Sequence, residues 1–455
     1  MICCRPCIYT EQKKTGFVTR TMTTVNIFWF RRDLRLEDNT ALHHALISGT
    51  PVIPIFIFDR TILDELEDED DRRVDFIHRE ITKLWQQLKD MGSHLDVYYG
   101  FPQEVFTAIL GKYRVEQVFT NHDYEPYGME RDAAIGKFLN AHGARLQTFK
   151  DIVIFEKGEV LKDDGAPYTV YTPYSRKWRS QLTPQHLQPL ETEKYFTGFH
   201  RGKATAMPSL EEMGFKNSGA DFPSGTTELS IIKNYQEQRD FPGIRGTSKL
   251  GIHLRFGTVS IRKWLKIAQQ HSATFMNELI WREFYHAILF NFPHVAEGKA
   301  FKPAYDRIPW RNNETHFELW KNGQTGYPVV DAGMRELKAT GFMHNRVRMI
   351  TASFLVKHLL IDWRWGEEWF ARQLLDFEFA SNNGGWQWAA GSGCDAAPYF
   401  RIFNPYLQTK KFDPDLKYVR KWVPELDGFD YPQPIVDHET ARKRCLDVFT
   451  KALKQ

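Results

Sequence analysis

Cysteine and long apolar segments are both scarce in this sequence. Five Cys in 455 residues do not make a disulfide framework, so we expect the protein in a reducing cytoplasm. No apolar run approaches the roughly 18 residues that a membrane-spanning helix needs. Cys3, Cys4 and Cys7 cluster near the start, but no His or further Cys nearby completes a ligand set, so no metal site is expected.

An excess of basic charge is also missing. The 60 Lys and Arg nearly balance the 57 Asp and Glu and leave a net charge of +3. A nucleic-acid-binding surface would therefore be a local patch rather than a property of the whole protein. The glycine pattern G-x-G-x-x-G, typical of dinucleotide-binding sheets, does not follow the first apolar run, Val25–Phe30.

Tryptophan, by contrast, is concentrated in the second half of the chain. Ten of the thirteen Trp lie between Trp264 and Trp422. The stretch NNGGWQWAAGSGCDAAPYFRIFNP (Asn382–Pro405) sets two of them beside Gly384 and Gly385. Glycine lets the backbone approach a ligand closely, and indole rings are flat apolar surfaces. This stretch predicts a wall built against a large planar ligand.

The chain divides into parts with different periodicity. Short apolar runs alternate with amphipathic segments such as Arg73–Met91, which predicts an α/β, Rossmann-like domain over residues 23–150. Residues 151–225 are rich in Pro, Gly and Ser and are interpreted as an interdomain linker. Helical patterns dominate residues 226–455, which predicts an all-α C-terminal domain. Residues 1–22 are expected to be a disordered N-terminal extension.

The segment ELIWREFYHAIL has two distinct faces when it is drawn as a helix. One face is apolar and predicts core contacts: Ile280, Phe284, Ala287 and Ile288. The other face is too polar for a core and too aromatic for a plain solvated surface: Glu278, Trp281, Arg282 and Tyr285. It predicts a second ligand wall, with a stripe at a protein interface as the alternative. Nearer the start, Asp38 is predicted to cap the helix that follows the first strand.

Six blocks of the sequence together resemble the photolyase/cryptochrome family of blue-light flavoproteins. Their order along the chain is also that of the family, and the resemblance covers the chain from about Met22 onward. Besides Asn382–Pro405, the blocks are WFRRDLRLEDNTAL (Trp29–Leu42), GTSKLGIHLRFGTVSIRKW (Gly246–Trp264), ELIWREFY (Glu278–Tyr285), TGYPVVDAGMREL (Thr325–Leu337) and MHNRVRMITASFLVK (Met343–Lys357). The details are most similar to class I members, which repair cyclobutane pyrimidine dimers by electron transfer from reduced FAD.

The resemblance implies a set of FAD contacts in the helical domain. Arg348 and Asp376 match an ion pair that faces the flavin ring, although a purely structural salt bridge would have the same sequence. Asn382 matches the residue opposite the flavin nitrogen that is protonated on reduction. The other cofactor-binding residues implied are Tyr235, Thr247, Ser248, Lys249, Leu250, Gly251, Arg282, Asn345 and Glu378. From the residues alone, Thr247 and Ser248 are equally consistent with an ordinary helix cap.

Two of these positions depart from the family pattern. Gly251 replaces a more usual Ser, and Glu378 stands where the family commonly has Asp, which puts its direct contact with the flavin in doubt.

The resemblance also implies the residues that hold the lesion. Trp281 and Trp388 would sandwich the dimer, Glu278 would hydrogen-bond the pyrimidine edge, and Asn345 and Met349 would complete the catalytic set with Asn382. His344 is interpreted as structural. This arrangement favours dimer repair over a 6-4 photolyase, and a cryptochrome photoreceptor remains the alternative.

Further residues are assigned to electron transfer and to DNA. Trp310, Trp363 and Trp386 match the relay that photoreduces the flavin, with core packing as the alternative for each. Damaged DNA is the expected partner of a monomer, with the dimer extruded from the duplex into the cavity. Four basic residues are candidates for phosphate contacts, each alternatively a solvated surface charge: Arg239, Arg346, Arg401 and Lys410.

A second, light-harvesting chromophore is an option within the family. Asp123 and Arg255 match members with a deazaflavin, whereas Glu297 stands where folate-binding members have Lys. The sequence favours deazaflavin over folate, with an empty antenna site as the alternative.

Overall fold

The computed structural model describes residues 22–454, so most of the predicted N-terminal extension and its three Cys lie outside the described residues. Five parallel strands form one sheet in the order β3-β2-β1-β4-β5. The strands are β1 (Thr24–Phe30), β2 (Val52–Asp59), β3 (Asp96–Gly100), β4 (Arg114–Asn121) and β5 (Arg145–Phe149). The central strands are buried along almost their whole length, as expected for apolar strands that helices cover on both faces.

Five helices connect and cover these strands: α1 (Thr40–Leu46), α2 (Arg60–Leu63), α3 (Arg72–Asp90), α4 (Pro102–Lys112) and α5 (Pro126–Ala141). The predicted Rossmann-like domain is therefore confirmed. Short β5 was not anticipated, because its sequence RLQTF lies at the sheet edge and is half exposed rather than apolar.

The prediction that Asp38 caps α1 is wrong. Asn39 is the cap, and its side chain accepts a hydrogen bond from the Leu42 N–H at 3.2 Å. Asp38 instead has a left-handed backbone conformation, with a φ of 47°. Its carboxylate accepts hydrogen bonds from Arg262 Nε at 2.8 Å and from the hydroxyl of Ser260. Since both partners belong to the second half of the chain, Asp38 ties the two domains together.

The segment between β5 and the helical domain carries one regular helix, α6 (Tyr171–Gln181). Three 3-10 turns follow it, at Pro184–Leu187, Thr192–Gly198 and Glu211–Met213.

From Leu229 onward, strands are absent up to the last described residue, which confirms the predicted all-α domain. Its helices are α7 (Leu229–Lys233), α8 (Tyr235–Gln238), α9 (Gly251–Phe256), α10 (Ile261–His271), α11 (Ala273–Asn291), α12 (Glu314–Lys321), α13 (Pro328–Thr340), α14 (Asn345–Ser353), α15 (Trp363–Gln373), α16 (Phe379–Ala390), α17 (Pro405–Phe412), α18 (Lys417–Trp422) and α19 (His438–Leu453). A π-helical turn, Phe354–Leu359, continues α14.

Helix α16 lies at the centre of this domain and packs against α11, α14 and α15. On α11, the face predicted to be core is buried at Ile280, Phe284 and Ile288. The opposite face turns toward α14 and α16, and the three helices leave a cavity between them. None of the helices within residues 22–454 is both long and apolar enough to cross a membrane.

Candidate functional site

The cavity has a volume of about 420 Å³. This lies within the roughly 300–1,000 Å³ that small-molecule sites commonly offer. Fourteen of the residues predicted from sequence line it: Arg239, Glu278, Trp281, Tyr285, Asn345, Arg346, Arg348, Met349, Asp376, Glu378, Asn382, Gly385, Trp386 and Trp388. Residues more than 140 positions apart in the sequence therefore share one space.

Other predicted residues lie away from this lining. Arg282 and Tyr235 are buried behind the wall. Arg401 and Lys410 are exposed, on the segment before α17 and on α17 itself. Trp363 is fully buried in the helical core, and Trp310 packs half-buried against the same core.

An ion pair forms one side of the cavity. Arg348 Nη2 lies 2.9 Å from both carboxylate oxygens of Asp376, and its Nε donates to the Met343 carbonyl at 2.8 Å. This confirms the pairing predicted from sequence. On α16, Asn382 Nδ2 donates to the Glu367 carbonyl at 3.1 Å, which leaves the side-chain oxygen as the group available to a ligand.

The loop before α9 ends beside Asp376, which lines the cavity. Helix α9 begins at Gly251 after Leu250, so the interpretation of Thr247 and Ser248 as its cap is wrong. A Cβ placed on Gly251 would lie 2.6 Å from Asp376 Oδ2 and 3.0 Å from its Cβ. A side chain at position 251 would therefore require Asp376 to shift.

The side chain of Glu378 points into an ionic network between the two domains. Arg282 holds it with two hydrogen bonds, of 2.7 and 3.0 Å, and Arg32 of the sheet domain donates at 2.9 Å. Burial alone would raise the pKa of Glu378, but Arg282, His286 and Arg32 outweigh it and hold that pKa well below its usual range. Glu378 is thus a fixed anion that supports the wall.

Trp281 forms a flat part of the cavity wall. Its ring stacks on Tyr171 of α6, with centroids 3.8 Å apart and planes within 5°. The Tyr171 hydroxyl donates to the Asn277 carbonyl of α11 at 3.0 Å, which fixes the stack. Sequence reasoning missed Tyr171, because the segment Tyr168–Trp178 carried an aromatic signal but no indication of its partner.

Charged residues of opposite sign alternate at the same wall. Arg239 is paired with Glu278, and Arg346 Nη2 donates to Asp240 at 2.7 Å. His344 caps α14 by accepting from the Arg346 N–H at 3.1 Å, which agrees with its structural interpretation.

The three predicted relay tryptophans share one apolar core. Trp386 lines the cavity, and its ring lies directly against Gly366, one turn along α15 from Trp363. Trp320 is a further neighbour of Trp386, with ring centroids 6.1 Å apart, and sequence reasoning missed it.

The position expected for an antenna chromophore is filled by ion pairs. It lies at the carboxyl ends of β1 and β4, where the strand order reverses and doubly wound sheets commonly bind ligands. The space there is too small to admit a water molecule, and Arg32 crosses it to contact Asp123 and Glu125. Arg255 pairs with Glu125 at 3.1 Å. These residues do not fit a chromophore without movement, because their charged groups already pair with one another.

Two family models match this chain. Residues 26–194 match the family model described as DNA photolyase, and residues 275–430 match the FAD binding domain of DNA photolyase. Deoxyribodipyrimidine photo-lyase of Halobacterium salinarum is 37% identical, over 94% of this chain and 99% of its own length. The chain belongs to the DNA photolyase family. The enzyme of the same name from Escherichia coli is 35% identical over 95% of this chain and 99% of its own.

Solved structures of the photolyase family have the same fold. A bacterial class III photolyase from Agrobacterium tumefaciens superimposes with a TM-score of 0.85 at 34% identity, over 97% of this chain and all of its own. An archaeal photolyase from Sulfolobus tokodaii, described with two FAD molecules, gives 0.78 at 32%, over 93% of this chain and 99% of its own. A cryptochrome from Synechocystis gives 0.80 at 25%, over 94% of this chain and 99% of its own.

The cavity fits the FAD that the family model implies. Its walls are mainly apolar, as is common in ligand sites. The Arg348–Asp376 pair and the side chain of Asn382 supply fixed polar groups among them. The close approach of Gly251 to Asp376 brings the predicted cofactor-binding segment, residues 247–251, to the same site.

Proposed function

We propose that this protein is a deoxyribodipyrimidine photo-lyase that repairs cyclobutane pyrimidine dimers in DNA with blue light and FAD. One observation carries the proposal: a single cavity joins the predicted flavin contacts to the predicted lesion contacts. Bound and reduced, FAD supplies the photoexcited electron that opens the cyclobutane ring. The protein's own residues supply binding, orientation and charge.

On the flavin side, Arg348 and Asp376 would hold the ring and Asn382 would face its reducible nitrogen. The loop residues Thr247, Ser248, Lys249 and Leu250, with Tyr235, would hold the phosphates and the sugar chain. Arg282 would act from behind the wall by fixing Glu378. Asn345 would contact both the cofactor and the lesion.

On the lesion side, Trp281 and Trp388 would stack on the pyrimidines. Stacking is worth about 1–3 kcal/mol per base and does not depend on sequence, which suits an enzyme that recognises damage rather than a base. The fixed Tyr171–Trp281 stack supports this role, because a held indole loses little conformational freedom when the dimer binds. Glu278 would hydrogen-bond the pyrimidine edge, with Met349 packed beside it.

DNA would bind as a duplex with the dimer extruded into the cavity, and the protein would act as a monomer. Arg239 and Arg346 at the cavity, with exposed Arg401 and Lys410, would contact phosphates. We expect this activity in a reducing cytoplasm.

Trp386, Trp363 and Trp310 would relay an electron from the surface to the oxidised flavin. Their common core and the contact of Trp386 with α15 support this path. The relay prepares the cofactor and is not part of the repair step.

The deazaflavin antenna stays a prediction. The ionic network that fills the space at the carboxyl ends of β1 and β4 argues against it. The absorption spectrum of the purified protein tests it: bands beyond those of FAD, released on denaturation, would identify a second chromophore.

The deciding experiment uses an oligonucleotide with one thymine cyclobutane dimer and the chemically reduced protein. We expect restored thymines under blue light and none in the dark. Flavin-loaded, reduced protein that leaves the dimer intact in the light would overturn the proposal and favour a cryptochrome photoreceptor. Repair of a 6-4 lesion instead would reassign the enzyme within the family.

A further inference from the structure

Two arginines form ion pairs with two carboxylates at the lesion-side wall of the cavity. Arg239 donates to Glu278, and these side chains are only 21% and 29% exposed. Arg346 donates to Asp240 at 2.7 Å. The Arg239 guanidinium also lies over the Tyr235 ring, 5.5 Å from its centroid. Each cation in this cluster is therefore already engaged before any DNA arrives.

These pairs compete with the contacts that repair would need. A DNA phosphate binds arginine through charge-assisted hydrogen bonds like those that the carboxylate makes. Arg239 contacts Glu278 through Nη1, so a phosphate that the guanidinium holds bidentately draws its charge away from Glu278 and weakens this contact. The two tasks, holding the backbone and freeing Glu278 for the lesion, are linked through one side chain.

Few groups remain to balance the charge of Glu278 once Arg239 leaves. The other charged groups that face it are Asp240, beside Arg239, and Arg346 of α14, which is bound to Asp240. The phenols of Tyr171, Tyr235 and Tyr285 also face it and are neutral, since burial raises the pKa of each. Burial already raises the pKa of Glu278 even though Arg239 opposes it, and a stacked base would bury it further.

We propose that lesion binding transfers Arg239 from Glu278 to a DNA phosphate, and that Glu278 takes up one proton from bulk water in exchange. The resulting carboxylic acid donates a hydrogen bond to a pyrimidine carbonyl oxygen, which the carboxylate could only repel. Arg239 is then a positioning residue that couples backbone contact to the protonation of Glu278. This inference rests on the proposed function and adds to it.

Calorimetric titration with a dimer-containing duplex tests the exchange. Binding is measured at one pH in two buffers of different ionisation enthalpy, so that the difference counts protons. We expect uptake of up to one proton by the natural protein and none by Glu278→Gln. Arg239→Gln should show reduced uptake, and its salt dependence should fall by about one phosphate contact. Arg245→Gln is the matched control, because Arg245 is 75% exposed and pairs with exposed Glu228, and it should keep full uptake.

The pH dependence of affinity gives a second measurement that needs no variant. Where one proton is taken up, the association constant falls about tenfold per unit rise in pH. A flat profile, no proton exchange, or equal exchange in the natural protein and Glu278→Gln would overturn the inference. Full proton uptake by Arg239→Gln would show that Arg239 takes no part in the exchange. Repair without proton exchange refutes only this inference, whereas absence of repair by the reduced protein in light refutes the proposed function.

Discussion

At position 251, a hydrogen in place of a side chain leaves Asp376 room to reach Arg348. The contact joins a loop, an interhelical ion pair and the cavity through one small residue. A larger residue here would act on flavin binding through Asp376, although residue 251 itself is the first residue of α9.

Gly251→Ala is expected to weaken FAD binding by about 1–3 kcal/mol, the usual cost of overpacking a fitted site. Titration of the apoprotein with FAD, followed by flavin fluorescence, measures the change. Gly111→Ala is the control, since a Cβ on that residue of α4 meets nothing within 4 Å. Unchanged FAD affinity in Gly251→Ala would show that Asp376 does not depend on this contact.

Among the helices, α11 has functions on two sides. Toward the cavity it presents Glu278 and Trp281, and on the other side it anchors the connecting segment through Glu283. The Glu283 carboxylate accepts from the Ile154 N–H at 2.5 Å and from Trp178 Nε1 at 2.6 Å. A buried carboxylate thus positions α6, and α6 in turn supplies Tyr171, which stacks on Trp281 at the cavity wall.

Glu283 should make stability depend on pH. Burial raises its pKa to about 7 from an ordinary 4.5, so its stabilising contribution is complete below pH 4.5 and is lost as the pH rises to about 7. The free energy of unfolding should therefore fall by roughly 3 kcal/mol over this window relative to Glu283→Gln. Urea unfolding of both proteins across the window measures it, with Glu159→Gln, an exposed residue of the same segment, as control. A constant difference would contradict the prediction.

Helices α15 and α16 set the proposed electron path, because Trp363 begins one and Trp386 lies in the other. Trp310→Phe should reduce the rate of flavin photoreduction to a small fraction of the original. It should leave dimer repair by chemically reduced protein unchanged, since the relay only prepares the cofactor. Flash photolysis and the repair assay separate the two effects. Trp85→Phe, in α3 of the sheet domain, is the control, and loss of repair in Trp310→Phe would refute the relay assignment.

Across the whole molecule, the two domains are joined by buried charge. Arg32, just after β1, connects Asp123 and Glu125 of the sheet domain to Glu378 at the flavin cavity. Arg35 and Arg262 meet Asp151 in a second such cluster. Because these ions are buried, each depends on its partners, so the cavity wall depends on the docking of the domains.

Arg32→Gln should destabilise the protein by about 3–5 kcal/mol, the usual cost of leaving a buried charge without its partner. It should also weaken FAD retention, because Glu378 loses one of its cations. Arg372→Gln is a matched control: Arg372 also pairs across the domains, with Glu67, but is 48% exposed and should cost less than about 1 kcal/mol. Equal losses in the two variants, by urea unfolding, would contradict the role given to the network.

The sequence by itself determined the α/β and all-α halves, the two faces of α11 and the ion pair of Arg348 with Asp376. Hydrophobic periodicity is a local property, and the family blocks place their residues in a known order, so both can be found without coordinates. Only the tertiary structure decided that Arg239 holds Glu278 across 39 positions, that Glu378 joins Arg32 across 346, and that Tyr171 supports Trp281. Such pairs produce no periodic pattern in the sequence, because each partner is an ordinary polar or aromatic residue in its own segment. What joins them is the packing of helices and sheet, which brings distant side chains into one dry space where charge must be paired.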